Sequence, residues 1–162
     1  MATKFGSGAT ALLQTLTAEA DTIRQFVDLL IIEQTALRAG TTDGLPALAE
    51  NKSRAGVKLN RLSTERNSLL SASGFGHDRT GIEAWCSKHP DEKGVKGAWA
   101  SILSLAGDAR ELNRLNGELI KIHMQYNAQA LEALRVGHSA LELYGPDGQT
   151  QAAGNRRIND AA

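Results

Sequence analysis

Cysteine, aromatic residues and net charge are all scarce in this chain of 162 residues. The single cysteine, Cys86, cannot form a disulfide within the chain. Aromatic residues make up only 4% of the sequence, which disfavours a sheet rich in Tyr, Phe and Val. The 18 basic and 18 acidic residues balance, so no net field attracts DNA, RNA or an anionic membrane surface. The Leu and Ala that remain favour an all-α protein.

Long apolar runs are also missing. No run approaches the roughly 20 residues that a helix needs to span a bilayer, and the N-terminus does not read as a secretory signal. The length suits one hydrophobic core. We therefore predict a soluble, cytoplasmic protein with reduced thiols.

Apolar residues recur at alternating intervals of four and three, the spacing of a coiled coil. The first helix is predicted to begin at Thr10 as its N-cap. Its apolar seam comprises Leu16, Ala20, Ile23, Val27 and Leu30. The seam is flanked by further apolar residues, so this helix is expected to contact more than one neighbour.

A second helix follows the break at residues 40–44, with Asp43 as its predicted cap and Pro46 in its first turn. The short connection makes the two helices an antiparallel pair. Lys52 and Arg66 fall on the second seam, where we expect their methylene stems to lie along it.

Thr80 and Glu83 have the spacing of a capping box and predict a short helix that ends near Pro90. The last long helix is predicted to run from Asp91 and to stop at Gly137. The predicted fold is an antiparallel helical bundle or coiled coil of three long helices plus one short helix. It comprises a bundle domain at residues 1–137 and a flexible C-terminal tail at residues 138–162.

Chemically reactive residues form no convincing site in the sequence. Cys86 and His89 have ligand-like spacing, but no second pair stands at a matching interval, so we predict no metal and no other cofactor. A cysteine nucleophile would need an orienting third group and an electropositive setting, and neither is evident. We predict that the chain is not an enzyme.

Asn113, Asn116 and Asn127 lie on one flank of the last helix with Ile120 and His123. Two interpretations stay open. The asparagines could form a polar layer that sets the register between helices, or they could line a groove for a partner.

Three segments carry a family resemblance. They are residues 112–119 (LNRLNGEL), residues 127–131 (NAQAL) and residues 143–150 (LYGPDGQT). With these segments the chain resembles FlgN, a family of flagellar type III export chaperones. Pro146 stands where the family has a familiar alanine.

The resemblance implies a cytoplasmic helical chaperone that binds the C-terminal regions of the hook-associated proteins FlgK and FlgL. It also implies delivery of these proteins to the export gate, where Leu143 and Tyr144 would contact the gate protein FlhA. The C-terminal part of the chaperone would carry cargo. The candidate cargo-binding residues are Leu112, Asn113, Leu115, Asn116, Leu119, Ile120, His123, Asn127 and Leu131.

Two other functions remain as alternatives. A structural or regulatory coiled-coil protein, which could include a homo-oligomer, would use the same apolar seams without any export cargo. An enzyme that used Cys86 would need a reactive thiolate at neutral pH.

Overall fold

The computed structural model describes the secondary structure of residues 3–142 and the side chains of residues 8–137. It contains four helices: α1 (Thr3–Ala39), α2 (Leu45–Ala72), α3 (Arg79–Lys88) and α4 (Lys93–Glu142). No strand occurs within residues 3–142. The predicted all-α class, with three long helices and one short helix, is confirmed. The chain divides into two units, Met1–Ile120 and Lys121–Ala162.

Side-chain contacts fix the directions of the helices in the first unit. Thr15 of α1 donates a hydrogen bond to Glu65 of α2. Glu33, further along α1, accepts a hydrogen bond from Lys52, which comes earlier in α2, so α1 and α2 are antiparallel. Gly94 at the start of α4 lies against Leu13, and Asn116 reaches Leu30. Residue numbers therefore rise together along α1 and α4, and the predicted antiparallel bundle is confirmed.

The core lies along the predicted α1 seam because coiled-coil spacing keeps these positions on the inner side of the helix. Leu16 and Leu30 are completely buried. Ile82 and Trp85 of α3 belong to the same cluster as Leu16, together with Val95 at the start of α4. The short helix therefore contributes its apolar side to the core, as the sequence predicted.

Five predicted helix ends differ from the observed ones. α1 begins at Thr3 rather than Thr10, because Ala9 still packs in the core. α2 has Gly44 as its N-cap, with no side-chain cap from Asp43. α3 is capped not at Thr80 but by Asp78, whose carboxylate accepts a hydrogen bond of 2.8 Å from the Gly81 N–H.

The fourth wrong end is that of α4, which continues through Gly137 to Glu142. One glycine inside a helix costs about 1 kcal/mol, and the strong helix formers Ala, Leu and Glu follow it. The α4 start is two residues after the predicted Asp91. Pro46 does lie in the first turn of α2, as predicted.

Candidate protein-binding surface

The predicted cargo residues of α4 belong to both units, and those of the first unit differ in accessibility. Asn113 and Ile120 are exposed, the latter by 40%. Three leucines are half-buried because they continue the inner side of α4; they are Leu112, Leu115 and Leu119. Only part of this set can therefore meet a partner without disturbing the bundle.

Asn116 is a core residue with 1% exposure. Its Nδ2 donates to the Leu30 carbonyl at 2.8 Å and to the Glu33 carboxylate at 3.0 Å. Lys52 Nζ lies 2.7 and 2.8 Å from the two carboxylate oxygens of Glu33. The three side chains form a buried polar layer, which we call the Glu33 layer, that joins α1, α2 and α4. These contacts agree with the polar-layer interpretation of Asn116, and at 1% exposure its side chain does not lie on the surface.

A second polar cluster lies further along the same bundle. Arg66 Nη1 donates to Glu19 Oε2 at 2.6 Å, and the guanidinium stands 5.4 Å from the centre of the Trp99 ring. The side chains of Glu19 and Arg66 are 7% and 14% exposed. Arg66 thus brings its charged group into the helix interface and does not only lay its stem along the seam.

The sequence contains a signal for both polar pairs that apolar spacing alone does not show. Glu19 and Glu33 are 14 residues apart on α1, and Lys52 and Arg66 are 14 residues apart on α2. Two heptads separate equivalent positions in a coiled coil, so an antiparallel pair must bring these charges opposite one another.

In the second unit, the described residues 121–137 expose a concentration of large apolar side chains. Met124, Tyr126, Leu131 and Leu134 are between 67% and 70% exposed, and Ile122 is 47% exposed. A concentration of exposed large apolar side chains of this kind marks protein interaction sites, whereas single exposed apolar residues are ordinary. This segment is therefore the candidate binding surface.

The predicted cargo residues overlap this candidate surface in part. Asn127 and Leu131 are exposed as expected, and His123 is half-buried. Ile122, Met124, Tyr126 and Leu134 were not among the candidate residues. Heptad spacing from Leu131 could have identified two of these residues. Met124 stands seven residues before Leu131, and Leu134 stands three residues after it. Leu143 and Tyr144 lie outside the described residues.

Cys86 lacks the environment of a nucleophile. Burial raises the pKa of its thiol, and this effect exceeds the lowering by Lys96. The neighbouring His89 stacks on Trp85 with ring centres 4.2 Å apart, and its Nδ1 lies 2.8 Å from the Trp85 carbonyl oxygen. Both side chains are accounted for by packing at this end of the bundle.

Two further features concern the part of the chain that the structure describes. No group of three or more His, Cys, Asp or Glu side chains there could hold a metal ion. None of the described helices has the length and hydropathy to cross a membrane.

Comparison with known proteins gives a consistent family. The family model described as FlgN protein matches residues 1–152. The flagella synthesis protein FlgN of Yersinia enterocolitica is 34% identical over 128 residues, which cover 75% of this chain and 76% of the relative. The protein of the same name from Proteus mirabilis is 28% identical over 147 residues, covering 86% and 90% of the two chains.

The flagella synthesis protein FlgN of Salmonella typhimurium is 30% identical over 106 residues, which cover 64% of this chain and 74% of the relative. No solved structure matches the chain at a significant level. The family match extends over the helical bundle, the exposed segment of α4 and the tail signature that follows it. The chain belongs to the FlgN family.

Proposed function

We propose that this protein is a cytoplasmic flagellar export chaperone that binds the C-terminal regions of FlgK and FlgL. It keeps these proteins unassembled and delivers them to the type III export gate. The observation that carries the proposal is the exposed apolar surface of residues 121–137 in a chain of the FlgN family.

The chemistry of this surface suits a chaperone. A subunit that has not yet assembled exposes apolar surface, and an amphipathic helix can cover such surface by packing into it. The surface of residues 121–137 is presented by a helix, so binding does not require the backbone to fold first.

The accessible members of the predicted set are the proposed cargo contacts. Asn113 and Ile120 would serve in the first unit, and His123, Asn127 and Leu131 in the second. The half-buried Leu112, Leu115 and Leu119 would support the position of α4 and contribute only their exposed parts. Asn116 is left out because it completes the Glu33 layer.

Size-exclusion chromatography with light scattering tests cargo binding by the full chain. Purified FlgK and FlgL should each co-migrate with it, and Leu131→Glu should weaken the complex because it puts a carboxylate into an apolar contact. Lys121→Gln is the matched control, since it changes the net charge by the same amount. Absence of any complex with the wild-type chain would refute the proposal and favour the structural coiled-coil alternative.

Leu143 and Tyr144 are proposed to contact FlhA, on the basis of the tail sequence that resembles the family signature. Tyr144→Ala should weaken binding to the cytoplasmic domain of FlhA in calorimetry and leave binding of FlgK and FlgL unchanged. Equal FlhA affinity of wild type and variant would remove Tyr144 from this role.

A further inference from the structure

The exposed segment of α4 carries two rows of side chains at heptad intervals. The first stripe comprises Met124, Asn127, Leu131 and Leu134, with intervals of three, four and three residues. The second stripe comprises Ile122, Tyr126, Gln129 and Ala133, with intervals of four, three and four residues. All eight residues are exposed. Heptad spacing fits the knobs-into-holes contact of another helix, and a strand or an irregular loop would not match it.

The two stripes lie on different sides of the helix. At about 100° of rotation per residue, their centres are separated by about 150°. The wider of the two sides that separate the stripes carries the charged residues Lys121, Glu132 and Arg135. These three lie within an arc of about 60°. A helix contact typically covers an apolar width of roughly 100°, so one partner helix cannot cover both stripes.

We propose that residues 121–137 bind two helices at once, one on each stripe, and that a single cargo molecule supplies both. This inference rests on the proposed function and specifies the form of its cargo. Each cargo helix carries an apolar seam with heptad spacing and offers a polar side chain opposite the amide of Asn127 or Gln129. The charged side with Lys121 continues to face solvent.

One cargo molecule explains the surface better than further copies of this chain. Every copy presents the same two stripes, so pairing through one stripe leaves the other uncovered on each molecule. Covering both stripes with copies would require two contacts on every chain, which produce a closed ring or an open-ended chain and leave no stripe for the cargo of the proposed function. Two helices from one cargo molecule cover both stripes and end the assembly at a complex of one chaperone and one cargo.

Three single variants of the full chain test the proposal by calorimetry with purified FlgK and FlgL. Leu131→Glu changes the first stripe and Tyr126→Glu changes the second, and the two wild-type side chains have matched exposures of 67% and 69%. Lys121→Gln changes the charged side, and each of the three variants shifts the net charge by one negative unit. We expect both stripe variants to bind cargo at least tenfold more weakly and the Lys121 variant to bind within about twofold of wild type, because only the stripes lose their water on binding.

The outcomes separate this inference from the proposed function. If the wild-type chain binds cargo and Tyr126→Glu behaves like Lys121→Gln, the two-helix mode is wrong while the chaperone function stands. Light scattering of the chain without cargo measures the mass it reaches by its own association. If Tyr126→Glu lowers that mass without changing cargo affinity, the second stripe is a contact between copies and the inference is overturned. If the wild-type chain binds neither FlgK nor FlgL, the proposed function fails first. Far-UV circular dichroism should show unchanged helix content in all three variants.

Discussion

Replacing Lys52 by Met should destabilise the bundle strongly because it leaves a buried carboxylate without its cation. The side chains of Lys52 and Glu33 are only 19% and 7% exposed, and both carboxylate oxygens accept from the Lys52 ammonium. After the substitution the remaining side-chain donor at Glu33 is Asn116 Nδ2, at 3.0 Å. Removing one partner of a buried ion pair costs about 3–5 kcal/mol. The partial exposure of Lys52 places the expected loss near the lower end, at about 3 kcal/mol.

Urea unfolding followed by tryptophan fluorescence measures this loss, since Trp85 and Trp99 both belong to the first unit. With an m-value of about 2 kcal/mol per molar, the midpoint should fall by about 1.5 M. Arg54→Met is the control on the same helix, because the Arg54–Glu50 pair is 71% and 64% exposed. That substitution should change the free energy of unfolding by less than about 1 kcal/mol.

The double variant Glu33→Leu with Lys52→Met distinguishes an unpaired charge from simple loss of packing. It removes both charges and leaves the Asn116 bond to the Leu30 carbonyl in place. Replacing a buried pair by apolar residues is often neutral or stabilising, so the double variant should recover most of the stability. If Lys52→Met costs no more than Arg54→Met, or if the double variant is less stable than the single one, the account of the Glu33 layer is refuted.

Four further predictions concern the first unit. Gly81→Ala should lower the free energy of unfolding by at least about 2 kcal/mol, because its Cβ would lie 1.9 Å from the Gly76 oxygen. Gly117→Ala, which meets no atom within 4 Å, should raise it by about 0.5–1 kcal/mol in the same urea assay. The Thr80 hydroxyl and a backbone N–H lower the pKa of Asp78. The ionised Asp78 carboxylate therefore stabilises the fold above its unfolded pKa of about 4, and this stabilisation is lost as the pH falls through the lower folded pKa. Relative to Asp78→Asn, the wild type should lose stability in acid. Burial raises the pKa of the Cys86 thiol, so iodoacetamide at pH near 7.5 should label it more slowly in the native chain than in urea, and equal rates would contradict its packed environment.

The sequence predicted the fold well where a regular pattern decides the structure. The intervals of the α1 seam placed Leu16 and Leu30 in the core, where both are fully buried. Helix ends were predicted poorly because several residues near each end can cap a helix. Asp78 and Thr80 illustrate this, since both have suitable side chains, and the structure uses Asp78 as the cap with Thr80 donating to it at 2.8 Å.

The candidate surface was harder to predict than the fold because apolar spacing alone does not tell buried from exposed positions. Leu115 and Leu131 belong to similar patterns on one helix, yet the first is half-buried and the second is 67% exposed. Only the packing of neighbouring helices separates the two cases. For the same reason the sequence left two interpretations of Asn116 open, and its contact with Glu33 favours the polar layer.

The buried charged side chains lie in the first unit, and the exposed apolar stripes lie in the second. In the first unit, charged groups such as Glu33 and Arg66 are held by specific partners, so a wrong register between helices would leave them unpaired. In the second unit, residues such as Tyr126 and Leu131 meet no comparable constraint within the described chain. Substitutions at the polar layers should therefore lower stability, and substitutions on the two stripes should spare it and reduce cargo binding. A stripe variant that unfolded the first unit would contradict this separation.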